Sequence, residues 1–520
     1  MQEITKAKDQ RPKTRDRIVW VLFALVIVAV YFSGLSIPLL GPDEPRYAQV
    51  AREMFERNDW ITPTLGGTNW FEKPALLYWL QIASYNIFGV SESAARFGSA
   101  LFGLGTIFSL WILGRSVQSS KLKAQSSIEE SKTSNDLANW LALIAASSIG
   151  FLAFSRGASF DIILTFPLAA SLVSFFIFDQ SKEKSFTVYH LPLVAFYFFI
   201  GLALLAKGLI GIVFPFAIVA FYSLLSRRWP DKFFIFSLFW GTILSLIIAS
   251  SWYLPMYLTH GWTFVDEFFI QHHFERYTSN KYQHPQPFYF FFWVLPLMTT
   301  PWLPFFFASI WNFIRVQSSK FKVQSLEKLP TSNHQLSIFA FAWLFVPLIF
   351  FSFSGSKLPG YILPALPAAL ILTAEYISCF VEKSRRRKYA VQFITFVAFA
   401  VVAVALQFFV PSYAQADTTK YLIETANANG YGEAKILNLH TISHNAEFYA
   451  AGRLVRNDDG KLKKFLGVAL VDEEIWRAGG RDVLVLVPLE YLHEFPESDL
   501  VESKILADNG ELAIVAVKNR

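Results

Sequence analysis

Long apolar runs separated by short polar segments dominate the first 410 residues of the chain. A helix that crosses a membrane needs about 20 mostly apolar residues. Windows of that length occur at residues 18–38, 94–114, 138–156, 160–179, 190–206, 208–226, 233–255, 289–313, 337–353, 360–380 and 389–410. Because a stretch such as 138–179 has room for more, the pattern predicts an all-α polytopic membrane protein with about 11–13 transmembrane helices.

The pattern changes after Val410. Short apolar runs at Val483–Val487 and Leu512–Val517 alternate with helix-like stretches and with Gly, Asp and Asn residues that favour turns. This change predicts two domains. A transmembrane domain covers residues 1–410, and a small soluble α/β domain covers residues 411–520.

Composition and charge agree with a membrane protein and set its orientation. Hydrophobic residues make up 53% of the chain and charged residues only 17%, whereas soluble domains carry about 25% charged residues.

Lys and Arg are concentrated in alternate loops, and the positive-inside rule places such loops in the cytoplasm. The N-terminus is therefore predicted to be cytoplasmic, with the loops 39–93 and 256–288 and the C-terminal domain outside. Since the net charge of +6 follows this topology, we expect no nucleic-acid partner. The single cysteine, Cys379, excludes an intramolecular disulfide.

The first outer loop opens with ionisable residues beside the membrane, where such residues are functional candidates. Asp43 and Glu44 stand at the predicted start of an amphipathic helix, followed by Arg46 and Tyr47. A carboxylate at this position either caps the helix and pairs with Arg46 or acts as a general base. The sequence leaves both interpretations open.

Lysines recur on the same predicted side of the membrane. Lys73 lies among aromatic residues of the first loop, Lys207 ends the fifth span, and Lys357 precedes Tyr361 between spans nine and ten. A lysine near headgroups is either an anchor whose ammonium reaches the interface or a point charge for a phosphate. Asp161 begins the fourth span and is predicted either to form a structural ion pair with Lys207 or to take part in the function. Together these residues favour an anionic, membrane-bound substrate.

The second large outer loop contains His273 and Arg276. With Glu72 of the first loop, His273 offers ligands for a divalent cation. No His-x-x-x-His or Cys-x-x-Cys spacing supports a metal site, so surface histidines are the competing interpretation. Apart from this possible metal, no cofactor is expected.

These segments, in this order, resemble the GT-C glycosyltransferases, and most closely the aminoarabinose (4-amino-4-deoxy-L-arabinose) lipid A transferase branch, which is related to the protein O-mannosyltransferases. The resemblance covers residues 18–380. It rests on five motifs, at Asp43–Ala48, Phe71–Pro74, Lys207–Gly208, His273–Phe288 and Ser354–Pro364. Pro45 and Gly360 depart from the pattern of that branch.

The resemblance implies an inverting glycosyltransferase of the bacterial inner membrane, with its C-terminal domain in the periplasm. The donor is a sugar on polyprenyl (undecaprenyl) monophosphate, and the acceptor is a lipid such as lipid A. Asp43 is the implied base, with Glu44 beside it. The implied phosphate-binding residues are Lys73, Lys207, Arg276 and Lys357, and the other implied site residues are Arg46, Tyr47, Asp161 and Tyr361.

Two other functions compete with this one. A protein O-glycosyltransferase uses the same class of donor and differs only in its acceptor. A polyprenyl-sugar transporter should show repeated groups of spans and ionisable residues at mid-membrane. The charges here are predicted at the outer ends of spans, which disfavours transport.

Overall fold

The structure is a computed structural model that describes residues 18–125, 136–181, 186–275, 285–322, 334–477 and 479–520. The chain divides into two compact units. The first, here called the transmembrane unit, contains the residues up to Ser33, Ser99–Arg156 and Phe160–Ala403. The second, here called the loop and C-terminal unit, contains Gly34–Gly98, Gly157–Ser159 and Val404–Arg520. The first loop therefore groups with the C-terminal residues, whereas the sequence pattern placed it in the transmembrane domain.

In the described residues of the transmembrane unit, the regular elements are helices joined by short turns. Its helices are Ile18–Phe32, Glu92–Gln125 (whose first turns belong to the other unit), Leu137–Ala146, Ile149–Phe154, Phe160–Gln180, Phe186–Lys207, Ile210–Ser226, Lys232–Val265, Asp266–Glu275, Phe290–Met298, Leu303–Lys322, His334–Ser352, Pro359–Ala365, Leu366–Glu382 and Arg385–Val404. Each predicted span coincides with one of these helices or with a pair of them.

The number of long spans is smaller than predicted. In the described part of the chain, seven helices are long and apolar enough to cross a membrane, or eight if the pair Phe290–Met298 and Leu303–Val316, bent by 116°, is one span. Residues 18–38, 138–156 and 208–226 form shorter apolar helices instead. Hydropathy windows average over helix breaks, and one such break at Ser147 and Ser148 divides the predicted span 138–156 into Leu137–Ala146 and Ile149–Phe154.

The C-terminal part of the second unit contains a five-stranded mixed sheet. After a short hairpin in the first loop (β1, Thr64–Leu65; β2, Thr68–Asn69), the strands are β3 (Ile436–Leu439), β4 (Lys464–Phe465), β5 (Val483–Pro488), β6 (Val501–Asp508) and β7 (Leu512–Asn519). Their order is β4-β3-β5-β7-β6, with β3 parallel to β4 and β5, and β7 antiparallel to β5 and β6. The predicted small α/β domain is confirmed.

Both faces of this sheet are covered by apolar packing. The run Val483–Val487 is buried at every position, as expected of a strand with both faces covered. One face packs on Val471 and Ile475 of helix Val468–Arg477, and the other on Leu422 and Ile423 of helix Lys420–Ala426. The remaining helices of this unit are Asp43–Glu56, Leu76–Phe88, Ala405–Phe409, Val410–Asp417, Asn427–Tyr431, Ala446–Ala450 and Leu489–Glu494.

Candidate active site

The helix Asp43–Glu56 begins with two carboxylates that have different surroundings. Glu44 is 14% exposed and accepts four hydrogen bonds. Its Oε1 accepts from Arg96 Nε (3.1 Å) and from the backbone N–H of Ala158 (2.6 Å). Its Oε2 accepts from Arg96 Nη2 (2.6 Å) and from the backbone N–H of Leu40 (2.9 Å). A carboxylate that is bonded on both oxygens in this way holds the local structure together, so the geometry favours a positioning role for Glu44 over the predicted catalytic one.

Arg96 belongs to this site although the sequence pattern did not single it out. It is 3% exposed, and besides Glu44 it donates hydrogen bonds to the carbonyls of Leu35 (3.0 Å), Ile37 and Pro38 (3.0 Å). One guanidinium thus fixes the chain that leads into the helix. The partners of Arg96 lie more than 50 positions away in the sequence. The sequence signal that could have identified Arg96 as a site residue was therefore its charge within a predicted apolar span.

Asp43 is exposed and makes few contacts. Its side chain is 51% exposed, and its one ion pair among the described residues is with Arg46 Nη2 at 2.7 Å. The helix has Pro42 at its N-cap position and no side-chain cap hydrogen bond, so Asp43 does not cap the helix. Exposed ion pairs contribute only about 0–1 kcal/mol, which leaves this carboxylate available to accept a proton.

Aromatic residues and Arg46 surround this helix start. Arg46 Nε donates to the carbonyl of Pro42 (3.0 Å), and the guanidinium lies 6.0 Å from the centre of the Trp70 ring. Tyr47 is buried. Burial raises the pKa of the Tyr47 phenol well above its usual value, and the negative charges of Asp43 and Glu72 raise it further. Tyr47 therefore stays protonated near neutral pH.

Glu72 and Lys73 pair with each other. Lys73 Nζ donates to Glu72 Oε1 at 2.8 Å, and both side chains are 12% exposed. Across the described ranges of the chain, no group of three or more His, Cys, Asp or Glu side chains is placed to hold a metal ion. The side chain of His273 and the whole of Arg276 lie outside the described residues, so the proposed pairing of His273 with Glu72 stays a prediction.

In the transmembrane unit, the structure brings together Asp161, Lys207 and Tyr361. Lys207 Nζ forms an ion pair with Asp161 Oδ1 and lies 4.8 Å from the centre of the Tyr361 ring. A Cβ at Gly360 would collide with the Asp161 carboxylate, so glycine is required here for Asp161 to approach. The predicted ion pair between these helices is confirmed.

Lys357 differs from Lys73 and Lys207. Its side chain is buried, with 7% of the residue exposed. Its Nζ donates to the carbonyls of Ser354 (2.6 Å) and Gln286 (3.0 Å). Throughout the part of the chain that the structure describes, no carboxylate pairs with this ammonium, and burial lowers the pKa of Lys357. A buried cation without a counter-charge is costly, which favours an anionic ligand at this position.

The chain is similar in sequence to several known proteins. The profile of the family described as dolichyl-phosphate-mannose-protein mannosyltransferase matches residues 18–265. Undecaprenyl phosphate-alpha-4-amino-4-deoxy-L-arabinose arabinosyl transferase of Wigglesworthia glossinidia brevipalpis is 26% identical over 380 residues, which cover 71% of this chain and 61% of that protein. The protein of the same name from Yersinia enterocolitica is 27% identical over 444 residues, covering 82% of this chain and 72% of that protein.

The fold is similar to that of a solved enzyme. The crystal structure of ArnT from Cupriavidus metallidurans bound to undecaprenyl phosphate superimposes with a TM-score of 0.71 at 21% identity, covering 95% of this chain and 97% of that one. The chain thus has the helices of a multi-pass membrane protein, is similar in sequence to these arabinosyl transferases and is similar in fold to ArnT.

Proposed function

We propose that the protein transfers a sugar from a polyprenyl monophosphate donor to a lipid acceptor of the lipid A class, with inversion at the anomeric carbon. The names of the two curated relatives, which refer to undecaprenyl phosphate and aminoarabinose, support this donor class. The matched segment spans 61% of the first of these relatives. The donor, the acceptor and the roles of individual residues are therefore part of the proposal.

The observation that carries the proposal is the contrast between Asp43 and Glu44. A general base must be able to reach the proton that it removes. Glu44 is bonded on both oxygens, whereas Asp43 is half exposed with one weak ion pair among the described residues. Asp43 therefore takes the proton from the acceptor oxygen as the new bond between that oxygen and the anomeric carbon forms. The bond between that carbon and the phosphate oxygen breaks, and its electron pair leaves with the polyprenyl phosphate.

The leaving phosphate gains negative charge during this step, so cations that bind it stabilise the transition state. Lys357 supplies a buried ammonium without a carboxylate partner among the described residues. Lys207 supplies a second cation, which Asp161 and the Tyr361 ring hold in place. Lys73 and Arg276 stay predicted phosphate ligands, and Arg46 and Tyr47 stay predicted neighbours of the base.

The orientation is also part of the proposal. The distribution of Lys and Arg favours a cytoplasmic N-terminus and a periplasmic C-terminal domain. Reporter fusions after Lys123 and Arg520 test this orientation, and we expect them to be active on opposite sides of the membrane. Activity of both fusions on the same side would refute it.

The decisive experiment uses purified protein with an undecaprenyl phosphate-aminoarabinose donor and lipid A as acceptor, followed by mass spectrometry of the products. We expect Asp43→Asn to insert and fold normally and to transfer sugar at least about a hundredfold more slowly, because loss of a general base costs about 10²–10⁴-fold. Near wild-type turnover of Asp43→Asn would remove Asp43 from this role.

The family profile, which is named for protein mannosyltransferases, gives a reason to test a second acceptor. A peptide containing Ser and Thr replaces lipid A in a parallel reaction with the same donor. We expect product with lipid A and none with the peptide. The reverse result would identify a protein O-glycosyltransferase.

A further inference from the structure

The segment that leads into the Asp43 helix is held by side chains at every amide. Pro38 and Pro42 have no N–H, so only three amides lie between them. Leu39 N–H donates to the Tyr449 hydroxyl (2.7 Å), Leu40 N–H to Glu44 Oε2 (2.9 Å), and Gly41 N–H to Asp417 Oδ2 (3.1 Å). Two of these three acceptors belong to the C-terminal part of the chain.

These two acceptors are themselves fixed. The Tyr449 hydroxyl donates to Glu92 Oε1 (3.3 Å), which also accepts from Lys420 Nζ (2.7 Å). Asn445 Nδ2 donates to the carbonyl of Asp417 (2.6 Å). Because each acceptor has a further partner, their positions do not depend on the segment that they bind.

The short helix Ala446–Ala450 packs directly on the helix Asp43–Glu56. Arg52 of the longer helix donates to the carbonyl of Phe448 (3.5 Å), and its guanidinium lies 6.0 Å from the centre of the Phe448 ring. The helix that carries Asp43 is therefore supported along its side as well as at its start.

A third contact holds the β1–β2 hairpin of the first loop. Arg456 forms a buried ion pair with Glu447 and donates to the carbonyl of Gly460 (2.9 Å). Its guanidinium lies directly against Gly66, where a Cβ would collide with it. The N–H groups of Gly66 and Gly67 donate to Glu53 (2.7 and 3.2 Å), which ties this hairpin to the helix Asp43–Glu56.

The protonation state of His444 is compatible with the positive charge of Arg46. Burial lowers the pKa of His444 to about 4, the positive charges of Arg46 and Arg456 add to this effect, and Asp43 opposes it. His444 is therefore neutral near pH 7 and does not repel Arg46.

We propose that the C-terminal domain is a positioning element of the transferase. Through Tyr449 and Asp417 it fixes the start of the helix that presents Asp43 to the acceptor, and through Arg456 it holds the hairpin that is tied to Glu53 of the same helix. This inference rests on the proposed function of Asp43. A misplacement of about 1 Å in a reacting group can lower the rate about a hundredfold. Loss of one of these contacts should therefore slow the chemical step, although none of the three residues is proposed to touch the substrate.

Hydrogen exchange of the full-length protein in detergent provides the first test. A peptide covering residues 36–42 reports only the amides of Leu39, Leu40 and Gly41, because its first two residues do not retain label and Pro38 and Pro42 have no N–H. We expect Tyr449→Phe to accelerate exchange of the Leu39 amide about tenfold or more, since it removes the acceptor of that N–H. The matched control is Tyr413→Phe, which removes an exposed hydroxyl that has no hydrogen bond in the described part of the chain, and we expect it to leave the peptide unchanged. Unchanged exchange in Tyr449→Phe would overturn the inference.

Steady-state kinetics provide the second test. We expect Tyr449→Phe to lower kcat about fivefold to a hundredfold, with KM for the donor within about twofold of wild type and the melting temperature nearly unchanged. A purely stabilising contact would lower the yield of folded protein without changing kcat per folded molecule, and that result would overturn the positioning role. If the wild-type protein fails to use the chosen donor and acceptor, the proposed function falls, while the exchange experiment still decides whether the domain fixes this segment.

Two glycine variants test the hairpin contact independently. Gly66 and Gly67 both have positive φ (62° and 78°), so alanine is strained at either position. Only at Gly66 does the new Cβ meet Arg456; at Gly67 nothing lies within 4 Å. We expect Gly66→Ala to lower kcat at least about threefold more than Gly67→Ala. Equal effects of the two substitutions would exclude the contribution of Arg456.

Discussion

The ion pair between Glu44 and Arg96 offers a sharp test of which carboxylate does chemistry. Glu44→Gln keeps the shape of the side chain and removes its charge, and Arg96→Gln removes the opposite charge. Either single variant leaves its partner buried and without a counter-charge, because both side chains are largely buried and joined by two hydrogen bonds. The double variant leaves neither charge.

The contacts set the size of the effect. Removing one partner of a buried ion pair typically costs about 3–5 kcal/mol. Arg96→Gln also leaves the carbonyls of Leu35, Ile37 and Pro38 without their donor. We therefore expect each single variant to lose about 3 kcal/mol or more. The double variant should lose at least about 2 kcal/mol less than the sum of the single losses, since directly contacting residues couple by about 0.5–3 kcal/mol.

Unfolding titrations in mixed micelles measure these free energies, and turnover is measured per folded molecule. The expected pattern for Glu44→Gln is lower stability with turnover of the folded fraction within about tenfold of wild type, opposite to that of Asp43→Asn. Additive losses would show that the two residues do not interact as described. A stable Glu44→Gln protein with turnover reduced about a hundredfold or more would assign the base to Glu44 and refute the reasoning.

Other individual side chains have measurable consequences of their own. Lys357→Met should raise KM for the donor about tenfold or more, as expected for one lost charge-assisted contact of about 1.5–3 kcal/mol, whereas Lys207→Met should chiefly lower kcat; steady-state kinetics over a range of donor concentrations separate the two effects. The pKa of His444 is about 4 in the folded protein and about 6.5 when unfolded, so its contribution is fully present above pH 6.5 and decreases by up to about 3 kcal/mol as the pH falls to 4; in thermal melts between pH 4 and 7, His444→Gln should show a smaller loss of stability than wild type. Elemental analysis of purified wild-type protein and His273→Ala tests for a bound divalent cation, and absence of metal from both samples would remove that prediction.

The sequence was sufficient to locate the apolar helices because each one coincides with a long, continuous run of apolar residues. The boundaries and the number of long spans were harder to predict. Breaks such as Ser147–Ser148 are not polar enough to interrupt a hydropathy window, yet they end a helix. The grouping of the first loop with the C-terminal residues was not predictable, for a different reason. The grouping of Gly34–Gly98 with the C-terminal residues depends on contacts across more than 300 positions, and local patterns carry no information about such contacts.

The residues of the candidate site were also predictable only in part. The motif residues Asp43, Lys73, Lys207 and Lys357 were found because charged residues beside apolar spans are conspicuous. The burial and the ion-pair and hydrogen-bond partners of each residue were not predictable, because those partners are remote in the sequence. Glu44 and Asp43 are adjacent and chemically alike, and only Arg96 and the backbone of Ala158 distinguish them.

The phosphate-binding roles proposed for the two lysines of the transmembrane unit differ because their partners differ. The donor phosphate is a diester with one negative charge, and it gains a second charge as the sugar leaves. Lys207 is already paired with Asp161, so a singly charged phosphate competes with that carboxylate and gains little from Lys207 before the bond breaks. Lys357 has no competing carboxylate in the described ranges, and its burial strengthens its attraction for any anion. Binding energy that is equal in the ground and transition states affects KM, whereas energy that appears only as charge develops affects kcat. Lys357 is therefore expected to contribute mainly to donor affinity, and Lys207 mainly to the rate of the chemical step.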